Sequence, residues 1–255
     1  MSITTAEELT GMRLAGRVVA EALAAMRAAV VPGATPADIE AVGADVLRRH
    51  GAKAAPMTVY GAPCAAFVSV NDAVVHGLPT RTRLRAGDLV KIDVTPELDG
   101  FIADGAITVA VEPSTSRGRR LARAAEGALT AALAHVRPGI PVYALGAVID
   151  RHVRNQGFSV IRDLTGHGVG RSIHEAPEVP NYDPGGRSPL LTDGLVIAVE
   201  PLVAERSGSV RMTGDRWTIA TRDGGWTAHH EHTIVVTSDG ALVLTAAEAD
   251  ATTLH

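Results

Sequence analysis

The run Leu89-Val90-Lys91-Ile92-Asp93-Val94 has the texture of a β-strand, interrupted by a carboxylate at Asp93. If the strand alternates, Asp93 lies on the face opposite Val90, Ile92 and Val94. The turn-like Glu97-Leu98-Asp99-Gly100 follows, and then a second β-type run from Phe101 to Val111 that contains Asp104. Eleven residues separate Asp93 from Asp104. That spacing suits a hairpin that sets two carboxylates side by side.

Outward from this hairpin, the texture changes in blocks. Residues 66–111 carry short β-type runs, the first being Phe67-Val68-Ser69-Val70. Before them, Thr5 to Val30 reads as a helix with apolar positions at Leu9, Met12, Ala20, Leu23 and Met26. Pro32-Gly33-Ala34-Thr35-Pro36 breaks it, and Thr35 with the proline after it predicts the N-cap of a second helix running to His50. Helical texture returns over Ser116–Val136, stops at Pro138-Gly139, and resumes over Pro141–Gln156. Strands are predicted at Leu195–Val199, Arg216–Ala220 and Thr233–Val236. Helices, strands, helices, strands is the order of an α+β protein rather than of strict βαβ alternation. It also hints at two related halves, and no Ser-, Gly- or Pro-rich linker divides the chain. A single domain over residues 1–255 is the expectation.

Composition narrows the function. The chain has 255 residues, 46% of them hydrophobic and 20% charged, which is ordinary for a globular protein with a large core. A net charge of −4 gives no basic field for nucleic acid. The apolar runs are too short and interrupted to span a bilayer. The start, Met1-Ser2-Ile3-Thr4-Thr5, has neither the basic segment nor the apolar stretch of a secretory signal. A lone cysteine, Cys64, excludes an internal disulfide framework, so the expected compartment is the cytoplasm. The basic group Arg117, Arg119, Arg120 and Arg123 falls at a predicted helix start and reads as a solvated face.

Three more residues stand in unusual settings. Glu200 ends the apolar run Leu195–Val199 immediately before Pro201, and Glu231 stands just before Thr233-Ile234-Val235-Val236. His167 lies between glycines in Thr165-Gly166-His167-Gly168-Val169-Gly170, where missing side chains would let a ligand approach. Singly, a carboxylate at a strand end usually caps a turn. Four against apolar strands need compensation, because desolvating an unpaired charge costs several kcal/mol. No set of arginines stands beside them, and two divalent ions would balance four carboxylates charge for charge. A metal site is the better reading.

The run from Gly166 through His167, Arg171, His174-Glu175-Ala176-Pro177 to Tyr182 closely resembles the signature of type I methionine aminopeptidases. The resemblance extends through Asn71–Pro79, Ile92-Asp93-Val94, Asp99–Asp104, Val199-Glu200-Pro201 and Glu231–Thr237, in order and at family-like spacing. It implies a pita-bread fold, in which a pseudo-twofold antiparallel sheet cups two metals and helices lie on the outer face. It implies that Asp93 chelates one divalent ion, that Asp104 and Glu231 bridge both, and that His167 and Glu200 bind the second. The ions would be Co, Mn, Fe or Zn, among which oxygen and imidazole donors do not choose. Glu200 would also serve as a proton acceptor, His174 would stabilise charge at the scissile carbonyl, and His76 would contact the residue after the cut. The implied activity is removal of N-terminal methionine from nascent proteins and peptides, with small second residues favoured. The partners would be nascent-chain N-termini at the ribosome. The protein would be a monomer, with no direct readout of nucleic acid and no membrane contact.

The pattern departs from the family in the pocket. Pro56 to Phe67 lies where relatives build part of the methionine pocket, and Val59-Tyr60 stands where relatives often carry a Tyr-His pair. Tyr60, Phe67 and Trp217 are the expected pocket residues beside His76 and His174. Gly105 replaces a hydroxyl residue common after the aspartate at 104, for which a modest effect on ligand orientation is expected. Cys64 is expected in the core. Two alternatives keep the metal set: an aminopeptidase with another N-terminal preference, and an X-Pro peptidase. A third is a binding protein that has lost catalysis, and all five donors being present argues against it.

Overall fold

The computed structural model describes residues 1–246. Three of the four long helices start at a threonine that caps them. In α1 (Ala6–Ala28), Thr5 accepts from the Glu8 amide and the Glu8 carboxylate returns to the Thr5 backbone. Thr35 and Asp38 repeat the device on α2 (Pro36–Arg49), with proline in its first turn. A short helix, α3 (Ala55–Tyr60), was not expected from the sequence; it ends at Gly61, whose φ of 71° is left-handed. Thr115 caps α4 (Ser116–Leu133), and α5 (Val142–Asn155) begins after Pro141. Arg117, Arg119, Arg120 and Arg123 are exposed on α4.

An eight-stranded antiparallel sheet forms the centre. Its order is Glu175–Pro180, Thr165–Gly168, Val196–Val199, Glu231–Thr237, Gly105–Ala110, Leu89–Val94 and Phe67–Val70, with Gly240–Val243 added on Glu231–Thr237. Within this sheet the two halves of the chain meet where Glu231 pairs with Ala106 and His232 with Gly105. Asp93 pairs with Phe67 on one side and Ala106 on the other, so these three share a face. Alternation sends Val90, Ile92 and Val94 to the opposite face, into a core with Met12, Val19 and Met26 of α1 and Ile39 of α2. In the second half Ile197, Val199, Ile234 and Val236 pack with Leu121 and Leu129 of α4 and Ile149 of α5. Two helix pairs thus back the two halves of one sheet, in the pita-bread arrangement. The inner face is left to the polar residues.

Two strand expectations are corrected. The run from Phe101 to Val111 breaks at residues 103 and 104: Phe101–Ile102 folds back on Pro96–Leu98, and only Gly105–Ala110 joins the main sheet. Arg216–Ala220 is a turn leading into a strand at Ile219–Thr221. Asp215 accepts from the amides of Trp217 and Thr218, both at 2.8 Å, and Arg216 takes a left-handed φ of 69°. That turn chemistry wins over the apolar pattern of the segment.

Candidate metal centre

Asp93 and Asp104 come together as the hairpin spacing predicts, lining one cavity where burial and then the charge of Asp104 raise Asp93. Asp104 is held on all sides. Its carboxylate accepts from Thr95 Oγ1 at 2.9 Å, its amide donates to Thr233 Oγ1 at 2.8 Å, and its carbonyl accepts from the same hydroxyl at 2.8 Å. Thr95 therefore supplies the orienting hydroxyl expected from the residue after Asp104. Gly105 has no room for it: a Cβ there would meet Val19 of α1 at 2.7 Å.

His167 donates from Nδ1 to the Gly168 carbonyl at 2.9 Å, which turns the Nε2 lone pair toward the acids. Nε2 stands 3.9 Å from Asp104 Oδ2 and 3.7 Å from Glu200 Oε1. The flanking glycines have a different role from the one read in the sequence. A Cβ at Gly166 would meet the Ala198 carbonyl oxygen at 2.4 Å, and one at Gly168 would meet that of Ala176 at 2.3 Å. They let the neighbouring strands close on the His167 segment.

Glu200 and Glu231 complete the cluster, and between them lies a residue the sequence reading missed. His229 is 2% exposed, with Nε2 at 3.6 Å from Glu200 Oε2 and 3.7 Å from Glu231 Oε2. The signal was present in His229-His230-Glu231, because residues two apart share one face of an extended chain. Among the described residues, donor atoms of Asp104, His167 and Glu231 all lie within 4.8 Å of one another.

The pocket walls are aromatic and histidine-rich. Tyr60, Phe67, His76, His174 and Trp217 line a cavity of about 140 Å³ together with the acids. Phe67 lies 5.0 Å from the His76 ring and 6.0 Å from that of Trp217. His76 is in a turn, with φ of 55°, and its side chain faces this cavity. His174 is exposed at the mouth; its Nδ1 lies 2.7 Å from the Tyr60 hydroxyl, and its ring packs edge-on against His167. Cys64 is buried behind the wall with Ala62 and Phe67.

The charges explain what the cluster requires. Burial first, and then repulsion from one another, raises Asp93, Glu200 and Glu231 well above the usual carboxylate range. Burial lifts Asp104 to about 6 despite the Thr95 hydrogen bond. The histidines cannot compensate. Burial lowers His76 to about 4 and His229 to about 3, and lowers His167 as well. Glu231 Oε1 and both ring nitrogens of His229 are buried without a hydrogen-bond partner. Unpartnered oxygens, a lone-pair imidazole nitrogen and four clustered acids fit divalent cations.

A two-halved sheet backed by helices, with this donor set on its inner face, defines a metal-dependent hydrolase. The family model for metallopeptidase family M24 matches residues 10–238. Methionine aminopeptidase 2 of Bacillus subtilis is 39% identical over 247 residues, covering 96% of this chain and 99% of the relative. The methionine aminopeptidase of Escherichia coli is 37% identical over 252 residues, covering 98% and 96%. The crystal structure of methionine aminopeptidase from Thermotoga maritima superposes with a TM-score of 0.93 at 39% identity, covering 97% of this chain and all of that one. The chain belongs to metallopeptidase family M24, as an enzyme of the methionine aminopeptidase kind.

Proposed function

We propose that the protein removes N-terminal methionine from nascent proteins and peptides by two-metal-assisted hydrolysis, favouring small second residues. The observation that carries this reading is the convergence of Asp93, Asp104, His167, Glu200 and Glu231 at one end of a cavity walled by Phe67 and Trp217. Asp93 would hold one divalent ion, Asp104 and Glu231 would bridge to a second, and His167 with Glu200 would complete the second. When bound, such ions would supply a water of lowered pKa, polarise the scissile carbonyl and hold the free α-amino group.

The chain's own residues do the rest. Glu200, beside His167 and His229 in the cluster, would take the proton from the attacking water and return it to the leaving amine. Tyr60 donates to His174 Nδ1, which leaves an Nε2–H to donate to the carbonyl oxygen as charge develops there. His76, kept neutral by burial, would contact the backbone after the cut. Phe67 and Trp217 offer ring edges to a thioether, a contact worth about 0.3–1.5 kcal/mol. Residues 1–255 would act as one catalytic domain, monomeric and cytoplasmic, at the N-termini of chains leaving the ribosome. No helix among the described residues is long and apolar enough to cross a membrane.

The test is release of the first residue from Met-Ala-Ser and Leu-Ala-Ser by metal-stripped protein, with Mn, Fe, Co and Zn added back in turn. Metal-dependent methionine release, lost in Glu231→Ala, is the expected result. Preference for the leucine peptide would keep the metal chemistry and overturn the substrate. Selective cleavage of a Met-Pro peptide would point instead to an X-Pro peptidase.

A further inference from the structure

We propose that His229 is a positioning residue for the metal-binding carboxylates, pinning Oε2 of both Glu200 and Glu231 through one shared ring N–H. The proposal rests on the metallohydrolase reading above and adds a residue to it.

Three observations carry it. The first is placement. His229 ends the strand Thr227–His229, in which it pairs with Leu202, while His232 pairs with Val199 in the main sheet. These two pairings bracket Glu200 and Glu231, so the His229 ring is delivered between their side chains. The second is rigidity. The His229 amide donates to Thr108 Oγ1 at 2.8 Å, and that hydroxyl donates back to the His229 carbonyl at 2.7 Å. This clamp fixes the backbone that carries the ring. The third is the ring itself. It is 2% exposed, and neither nitrogen has a hydrogen-bond partner. A buried polar group with an unmade bond loses its hydration without return, so a ring serving only to fill space would be better replaced by an apolar side chain.

The acceptors for the ring are the two carboxylate oxygens at 3.6 and 3.7 Å. A movement of about half an ångström brings either within the usual hydrogen-bond range. The arrangement also sorts the oxygens. Glu200 Oε1 faces His167 Nε2, and Glu231 Oε1 is unpartnered. By holding Oε2 on both residues, His229 fixes the carboxylate planes and leaves the Oε1 atoms to face cations. Such partners of ligands typically contribute about 10–100-fold to metal affinity.

Two variants separate this role from packing and from direct ligation. His229→Leu fills the volume without a donor, and His229→Gln restores a side-chain N–H. Calorimetric titration of the stripped proteins with Mn²⁺ is the primary readout, and the visible spectrum of the Co²⁺-loaded forms is the second. We expect His229→Leu to raise the Kd for Mn²⁺ about 10–100-fold, and His229→Gln to bind within a few-fold of wild type with an unchanged Co²⁺ spectrum. Wild-type affinity in His229→Leu overturns the proposal in favour of packing. His229→Gln as weak as His229→Leu also overturns it, and a Co²⁺ spectrum altered in both would make His229 a ligand. Wild-type protein that binds Mn²⁺ yet releases no methionine would sink the activity reading, while the isotherms would still decide the role of His229. Wild-type protein that binds no metal overturns both.

Discussion

Thr233 shows how one side chain can hold the two halves of the molecule in register. It is fully buried, and its hydroxyl both accepts from the Asp104 amide and donates to the Asp104 carbonyl. The contact spans 129 residues of sequence and sits beside the Glu231–Ala106 pairing. Thr233→Val keeps the shape and strands two buried backbone groups. It should cost about 1–3 kcal/mol of stability, read by chemical denaturation. Displacing Asp104 should also weaken Mn²⁺ binding about 10-fold or more in a calorimetric titration. A variant as stable as wild type would mean that water replaces the hydroxyl. At this scale the sequence singled out residues that folding gathers around one cavity. Asp93, Asp104, Glu200, Glu231 and His167 each stood out because a charged or imidazole group interrupted an apolar or glycine-rich context. His229 did not, because it stood in a run already rich in histidine, and only its position opposite Glu200 makes it distinctive.

The elements are set by caps and alternation, and their approach is set by glycine. Thr5, Thr35 and Thr115 mark three helix starts, and all three were legible as sequence signals or as boundaries of helical texture. What the sequence could not convey was distance. A Cβ at Gly146 of α5 would meet the carbonyl oxygens of Tyr182 and Pro180 at 2.3 and 2.4 Å. The helix therefore lies almost on the backbone that follows the Thr165–Gly168 hairpin. Gly146→Ala improves intrinsic helix propensity by about 1 kcal/mol, yet forces helix and strand apart at a typical cost of about 1–3 kcal/mol. We expect net destabilisation, seen as a lower thermal midpoint. A stabilised Gly146→Ala would mean that the contact relaxes freely. The same physics explains the glycines beside His167, whose close approach to the Ala198 and Ala176 carbonyls was not readable from the motif.

For the whole molecule, the dominant feature is a cluster of buried acids that folding brings together. Their folded proton affinities are raised, so the sign of the pH dependence follows directly. At low pH the acids are protonated in both folded and unfolded chains. As pH rises past the ordinary carboxylate value, the unfolded chain ionises first, and stability is lost up to about 6 for Asp104, the other raised acids acting in the same direction. Metal-stripped protein should thus become less stable between about pH 4 and pH 7, apart from the usual recovery of surface carboxylates. Added metal should reverse this trend. At one hundred times Kd a single site contributes about 2.7 kcal/mol. In a chain of this length that raises the midpoint by roughly 5–10 °C. Scanning calorimetry with and without Mn²⁺ across this pH range measures both effects. A midpoint that metal does not move at pH 7 would remove the cations from the account of the cluster.

The sequence alone determined that the chain is α+β, where its long helices begin and which carboxylates break apolar strands. Those features are local: they follow from periodicity, capping and the cost of burying charge, all of which act between residues close in the chain. The tertiary structure alone decided that Glu200 and Glu231 flank His229, that Thr95 replaces the hydroxyl missing at Gly105, and that Phe67 shares a face with Asp93. It also decided which carboxylate oxygen faces which imidazole. These depend on strand register and on how closely elements pack, quantities fixed only when whole elements are brought together, as Asp104 and Thr233 are across 129 residues.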